Sequence, residues 1–224
     1  GGLMQLFVPP AYVKSYRPYV AVIGTVAKGS GDAVSVSPPA EAQAGDLLLC
    51  IVGTENGGQT APSGYSELSN SPQGNGTFAT STRLGVYSKV HSGSESAVTV
   101  GLFGSHTIAV IIAIRNANTT INVNTGSNSA SSTSVSCPTA TTTVNNCLVL
   151  AVVAFSVATT VDSWANANLT EFGEILDDNT TDDDDGGFAI ASGYKATAGA
   201  TGATTATLAS TSAQGRMTIG IAPG

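Results

Sequence analysis

The sequence predicts an all-β fold, an antiparallel β-sandwich of jelly-roll-like kind, and three observations predict it. Charged residues make up only 10% of the 224-residue chain and hydrophobic ones 42%, against a usual charged share of roughly 25%. Ser, Thr, Asn and Gly therefore supply the polarity; Thr and Val suit a pleated, half-buried surface, and Gly penalises a helix interior. The apolar runs are short, bounded by turn residues, and nowhere sustain a 3.6-residue repeat beyond two turns. A sandwich often reaches roughly 200 to 250 residues as one unit, so this length fits a single domain.

Taken in order, residues 1–18 read as an extended N-terminal arm, with a Pro9-Pro10 step and few turn signals. Residues 19–224 read as the sandwich. YVAVIGTVA begins it at Tyr19, and AVSVS alternates apolar and polar as a half-buried strand does. AGDLLLCIVGT is a continuous apolar strand entered by a Gly-Asp turn, which places it centrally. Strands follow near Leu84–His91, Ala97–Phe103 and Thr107–Arg115. The polar run from Asn116 to Ser136 reads as a linker or a flat edge. NNCLVLAVVAF, LTEFGEIL, GGFAIASGYK and RMTIGIAP supply the second half.

The order of features repeats in halves of about 45–115 and 145–221. DLLLCIV is answered by CLVLAVV, and Tyr65-Ser66-Glu67-Leu68 by Trp164 and Leu169-Thr170-Glu171. Tyr87 stands as far before Ile112 as Tyr194 before Ile219. The expectation is a pseudo-repeat in which each half supplies equivalent strands to two packed sheets, with Tyr87 and Tyr194 equivalent.

Composition also excludes functions. A net charge of −7 with few, scattered Lys and Arg gives phosphate neutralisation nothing to work with, so nucleic acid is not an expected partner. The apolar runs at Leu47–Val52 and Ile108–Ile114 are far shorter than the roughly 20 residues that cross a bilayer, so membrane insertion is not expected. GGLMQLFVPP has no basic region before its apolar stretch and does not resemble a secretory signal. Cys50, Cys137 and Cys147 lack metal-site spacing; Cys50 and Cys147 lie in apolar strands as small hydrophobes, a disulfide between them being the alternative. Asn75, Asn118, Asn168 and Asn179 begin Asn-x-Thr sequons, which matter only in a glycosylating host.

Chemistry-bearing candidates are few. His91 and His106 flank one strand with no nucleophile elbow nearby and read as surface histidines. Glu67 and Glu171 occupy matching repeat positions, which favours structural roles over a glycosidase pair, and no enzymatic activity is expected. The segment 177–185 holds six Asp in nine residues. Calcium held by Asp177, Asp178, Asp182 and Asp184 is one reading, with no other cofactor expected, and a solvated hairpin tip is the other. Trp164 and Tyr65 are the candidate rings for stacking on a sugar, or else rings that close the ends of the core.

Gly45–Leu49, the Pro62–Tyr65 turn, Tyr87–Val90 and Ile108–Ile114, with the closing MTIGIAPG, resemble sandwich domains of tailed-bacteriophage virion proteins. That resemblance covers about residues 18–224. It implies a non-enzymatic structural protein of the virion, a tail appendage, minor tail protein or capsid decoration, attached to other virion proteins. A carbohydrate- or receptor-binding module, perhaps engaging a host-surface glycan, is the competing reading. Leu3, Met4, Leu6, Phe7 and Val8 have no domain pattern of their own to bury them, so the arm is expected to make an oligomer contact, most simply in a trimer.

Overall fold

The computed structural model describes residues 16–30, 33–55, 59, 61–75, 81–101, 106–182 and 185–224. The described residues are all-β, with no helix among them. The first half contains β1 (Tyr19–Ile23), β2 (Ala27–Ser30), β3 (Val34–Val36), β4 (Leu47–Thr54), β5 (Ser66–Glu67), β6 (Gln73–Asn75), β7 (Thr82–Val90), β8 (Val98–Val100) and β9 (His106–Arg115). The second contains β10 (Val123–Cys137), β11 (Thr141–Thr142), β12 (Cys147–Phe155), β13 (Val161–Ala165), β14 (Thr170–Thr180), β15 (Gly186–Lys195), β16 (Gly199–Ala200) and β17 (Thr204–Ile221).

Two large antiparallel sheets result. One runs β1-β9-β4-β7-β5, with β2 added on β9 and β6 on β7; the other runs β10-β17-β12-β15-β14, with β13 on β17. Every strand of the first sheet precedes residue 116 and every strand of the second follows residue 122, so each half builds one whole sheet. Of the run from Asn116 to Ser136, the part from Val123 onward becomes β10, the edge strand of the second sheet.

The sheets meet face to face. Leu47, Leu49 and Ile51 of β4 and alternate residues of β9 pack against Leu148, Leu150 and Val152 of β12 and against Met217, Ile219 and Ile221 of β17. Each sheet is also covered outside. The β3–β8 pair brings Val34, Val36 and Val100 onto Leu48, Cys50, Val52 and Ile111. On the second sheet Val135, Cys137, Val161, Ala206 and Leu208 cover Ala151, Val153 and Phe155. An antiparallel sheet ordinarily leaves one face to solvent and alternates accordingly. Here β4 and β12 are buried on both faces, and this is why LLLCIV and CLVLAVVAF carry no polar alternation.

The equivalence expected for Tyr87 and Tyr194 does not hold. Leu47 lies opposite Ile114 and Val90, while Leu148 lies opposite Ile221 and Tyr194, so Tyr194 takes the place of Val90. Tyr87 is three residues away. An odd displacement along a strand reverses the face, and Tyr87 sits in the outer cluster while Tyr194 packs on the central one.

Polar contacts tie the halves along one edge. Lys28 of β2 reaches the Asp178 carboxylate at 2.6 Å and the Asn179 carbonyl at 2.7 Å on β14. Arg17 makes a two-pronged contact with Glu171, at 2.7 and 3.1 Å, and stacks 3.9 Å over the Tyr194 ring. Exposed pairs of this kind contribute little; they set alignment more than stability. Leu3, Met4, Leu6, Phe7 and Val8 lie outside the described residues.

Candidate functional site

Tyr65 and Trp164 do not form a sugar platform. Tyr65 closes the turn begun by Pro62, through its N–H bond to the Pro62 carbonyl at 3.0 Å, and its ring is only 7% exposed. It packs with Cys50 and Tyr87, its hydroxyl is buried without a hydrogen-bond partner, and burial raises the phenol pKa. Trp164, on β13, is half-buried against the outer cluster of the second sheet, and its Nε1 donates to Glu174 Oε2 at 2.9 Å. Two sheets separate the rings, so no single ligand stacks on both. Each closes the outer core of its own half.

The acidic segment is not one loop. Asp177 and Asp178 lie within β14, opposite Ala189 and Phe188 of β15. Successive strand residues point to opposite faces, so the two carboxylates cannot share an ion. Asp177 Oδ2 accepts the Val161 N–H at 2.8 Å; burial raises its pKa against that bond, helped by Glu174, Asp178 and Asp162. Asp178 is engaged by Lys28. Asp182 exchanges hydrogen bonds with Thr180, and its carbonyl accepts the Asp185 N–H. Asp184 lies outside the described residues. Among the described residues no cluster of three or more His, Cys, Asp or Glu is arranged to hold a metal.

Both histidines are interior, contrary to the surface expectation: His91 is 6% and His106 1% exposed. His91 Nδ1 accepts the Gly93 N–H at 2.9 Å, and its backbone pairs with Asp46 at the start of β4. His106 opens β9, whose next residue faces Thr54 at the other end of β4. With about 3.3 Å of rise per residue along that strand, the two histidines stand roughly 30 Å apart. The cysteines are free and buried, and burial pushes the Cys50 and Cys137 thiols up to about 12. Asp46, a deeply buried carboxylate, holds the Arg115 guanidinium at 3.0 and 2.9 Å.

A cleft that the sequence did not announce lies at the end of the sandwich where β9, β10, β12 and β17 converge. Its volume is about 640 Å³, within the range of roughly 300–1,000 Å³ for small-ligand sites. One wall is Asn118–Asn122, a second the Val144–Asn146 turn, and a third Ala222 and Pro223. Local structure fixes each wall. The Asn118 N–H bonds to the Ala222 carbonyl at 2.9 Å, and Ala117 bridges to Pro223. Asn146 takes a left-handed φ of 59°, a conformation Asn tolerates better than most residues, and this turns the chain into β12.

Among the described residues no charged side chain lines the cleft. Asn118 Oδ1 accepts the Thr120 N–H at 2.9 Å, and Asn145 Oδ1 accepts the Ala198 N–H at 2.8 Å. Asn122 and Thr143 bond reciprocally, at 2.6 and 3.0 Å. Val144, 41% exposed, contributes the apolar part with Ile121 and Pro223. Exposed rings are found at this same end of the molecule, at Tyr16 and Tyr19, and not at Tyr65 or Trp164. Asn-rich turns on either side of β10 and β11 were the available signal; their convergence depends on pairing with the chain end.

No protein-family model, curated protein or solved structure matches the chain.

Proposed function

We propose that this chain is a non-enzymatic structural protein of a tailed-bacteriophage virion, a tail appendage or capsid decoration, held in the particle by protein–protein contacts. One observation carries the reading. The motifs that resemble virion sandwich domains fall on one contiguous framework: Gly45–Leu49 enters β4, Tyr87–Val90 ends β7, Ile108–Ile114 is most of β9, and the Pro62–Tyr65 turn packs on their outer face. What the resemblance shares is therefore a folding core. In support, the residue types that do chemistry in enzymes serve packing here: the thiols, imidazoles and Tyr65 are buried, and Asp46 anchors Arg115.

The matching strand orders of the two sheets support an internal duplication, each half contributing one sheet with its own outer cover. Self-association, most simply as a trimer, is part of the proposal, with Leu3, Met4, Leu6, Phe7 and Val8 as its contact residues. Immunogold electron microscopy of intact particles tests the reading. Antibody to the folded chain decorates one defined part of the virion if it is right; unlabelled particles from lysates rich in the chain would refute it. A second reading, a glycan- or receptor-binding module, is favoured by one specific observation, the uncharged asparagine-lined cleft.

A further inference from the structure

We infer that this cleft is a binding site for a neutral saccharide. The inference stands whether or not the chain is carried on a virion, because it rests on the lining alone. An uncharged lining gives an ionic ligand no counter-charge to offset its desolvation, so it selects against anions and cations. Two carboxamides are set in place: Asn118 and Asn145 each commit their oxygen to a backbone N–H of the protein. Each therefore has its Nδ2 as the remaining donor group, and Asn146 adds a complete carboxamide on the same wall. Hydroxyl and ring oxygens are the acceptors such donors require, and sugar hydroxyls can return a hydrogen bond to Asn146. Val144 and Pro223 offer apolar surface to the C–H face of a pyranose ring.

Side chains already locked by their own hydrogen bonds lose little entropy on binding. The cleft has room for more than one sugar ring, so a disaccharide should bind more tightly than its monomer. With no aromatic ring among the described lining residues, affinity should be weak, in the millimolar range.

The test is nitrogen-15 NMR of the full chain titrated with glucose, galactose, N-acetylglucosamine, maltose, cellobiose and chitobiose, and with glucuronate and an uncharged tripeptide as comparisons. At least one neutral sugar should give saturable shifts at the Asn118, Asn145 and Asn146 side-chain amides, larger than those from glucuronate. Val144→Arg, at an exposed position, should keep the wild-type spectrum elsewhere and the wild-type melting temperature while abolishing those shifts. The inference is overturned if no neutral sugar moves these amides, if only the tripeptide does, or if the shifts persist in the folded Val144→Arg variant.

Discussion

Neighbouring residues on β4 should be equally costly to truncate. Leu48 and Leu49 point to opposite faces, yet both are 0% exposed, because Leu49 enters the core between the sheets and Leu48 enters the core under β3 and β8. Complete burial of a Leu side chain is worth about 1.5–3 kcal/mol, and the unfilled cavity raises the cost of Leu→Ala to about 2–5 kcal/mol. For a chain of this length that lowers the melting temperature by about 4–20 °C. Urea unfolding of Leu48→Ala and Leu49→Ala should show comparable falls in midpoint with unchanged slope. In a sandwich open to solvent on its outer face, Leu48→Ala would stay within about 0.5 kcal/mol of wild type. That result would refute the outer layer.

Other expectations follow from the polar contacts. Burial alone would raise the Asp46 carboxyl, but the Arg115 guanidinium and the Gln43 N–H outweigh it and hold its pKa low. A folded value below the unfolded one gives stabilisation that is complete above about pH 4 and is lost as pH falls through the folded value. Arg115→Met should destabilise the fold at neutral pH, because it leaves the buried Asp46 carboxylate without its cation. It should also flatten the loss of melting temperature below pH 4; parallel curves for the two proteins would contradict this. Millimolar calcium or EDTA should leave the melting temperature unchanged, since Asp177 and Asp178 face opposite ways, and a calcium-dependent rise would contradict the strand register. Ellman's reagent should find no reactive thiol in the native protein and three after denaturation, and prompt native labelling would place a cysteine outside the core. Deleting residues 1–15 while keeping Arg17 should reduce the mass seen by light scattering, and an unchanged mass would remove the proposed arm contact.

Much of the framework was legible because burial on both faces leaves continuous apolar runs, so Leu47–Val52 and Ile108–Ile114 identify central strands from composition alone. The start of β17 was not legible in the same way. TTATLAS is dominated by Thr, Ala and Ser, and becomes strand only through pairing with β10 and β13 and through the packing of Ala206 and Leu208 on the second sheet. Asp177 and Asp178 were misplaced for a related reason: local charge suggests a loop, while the β14–β15 ladder carries the strand as far as Thr180 and leaves only Asp182 and Asp185, among the described aspartates, in the turn. His106 looked like a turn residue because what surrounds it, around Gly186, is eighty residues away in the chain. The cleft depends on three distant segments, two of them turns whose Asn content is ordinary for turns.

The most direct test of the functional reading is quantitative mass spectrometry of purified virions, with peptides of this chain counted against those of the major capsid protein. A virion component should be present at a fixed stoichiometry that survives density-gradient purification, in a multiple of three copies if it is a trimer. Absence of the chain from particles, in cells that express it abundantly, would rule out a structural role in the virion.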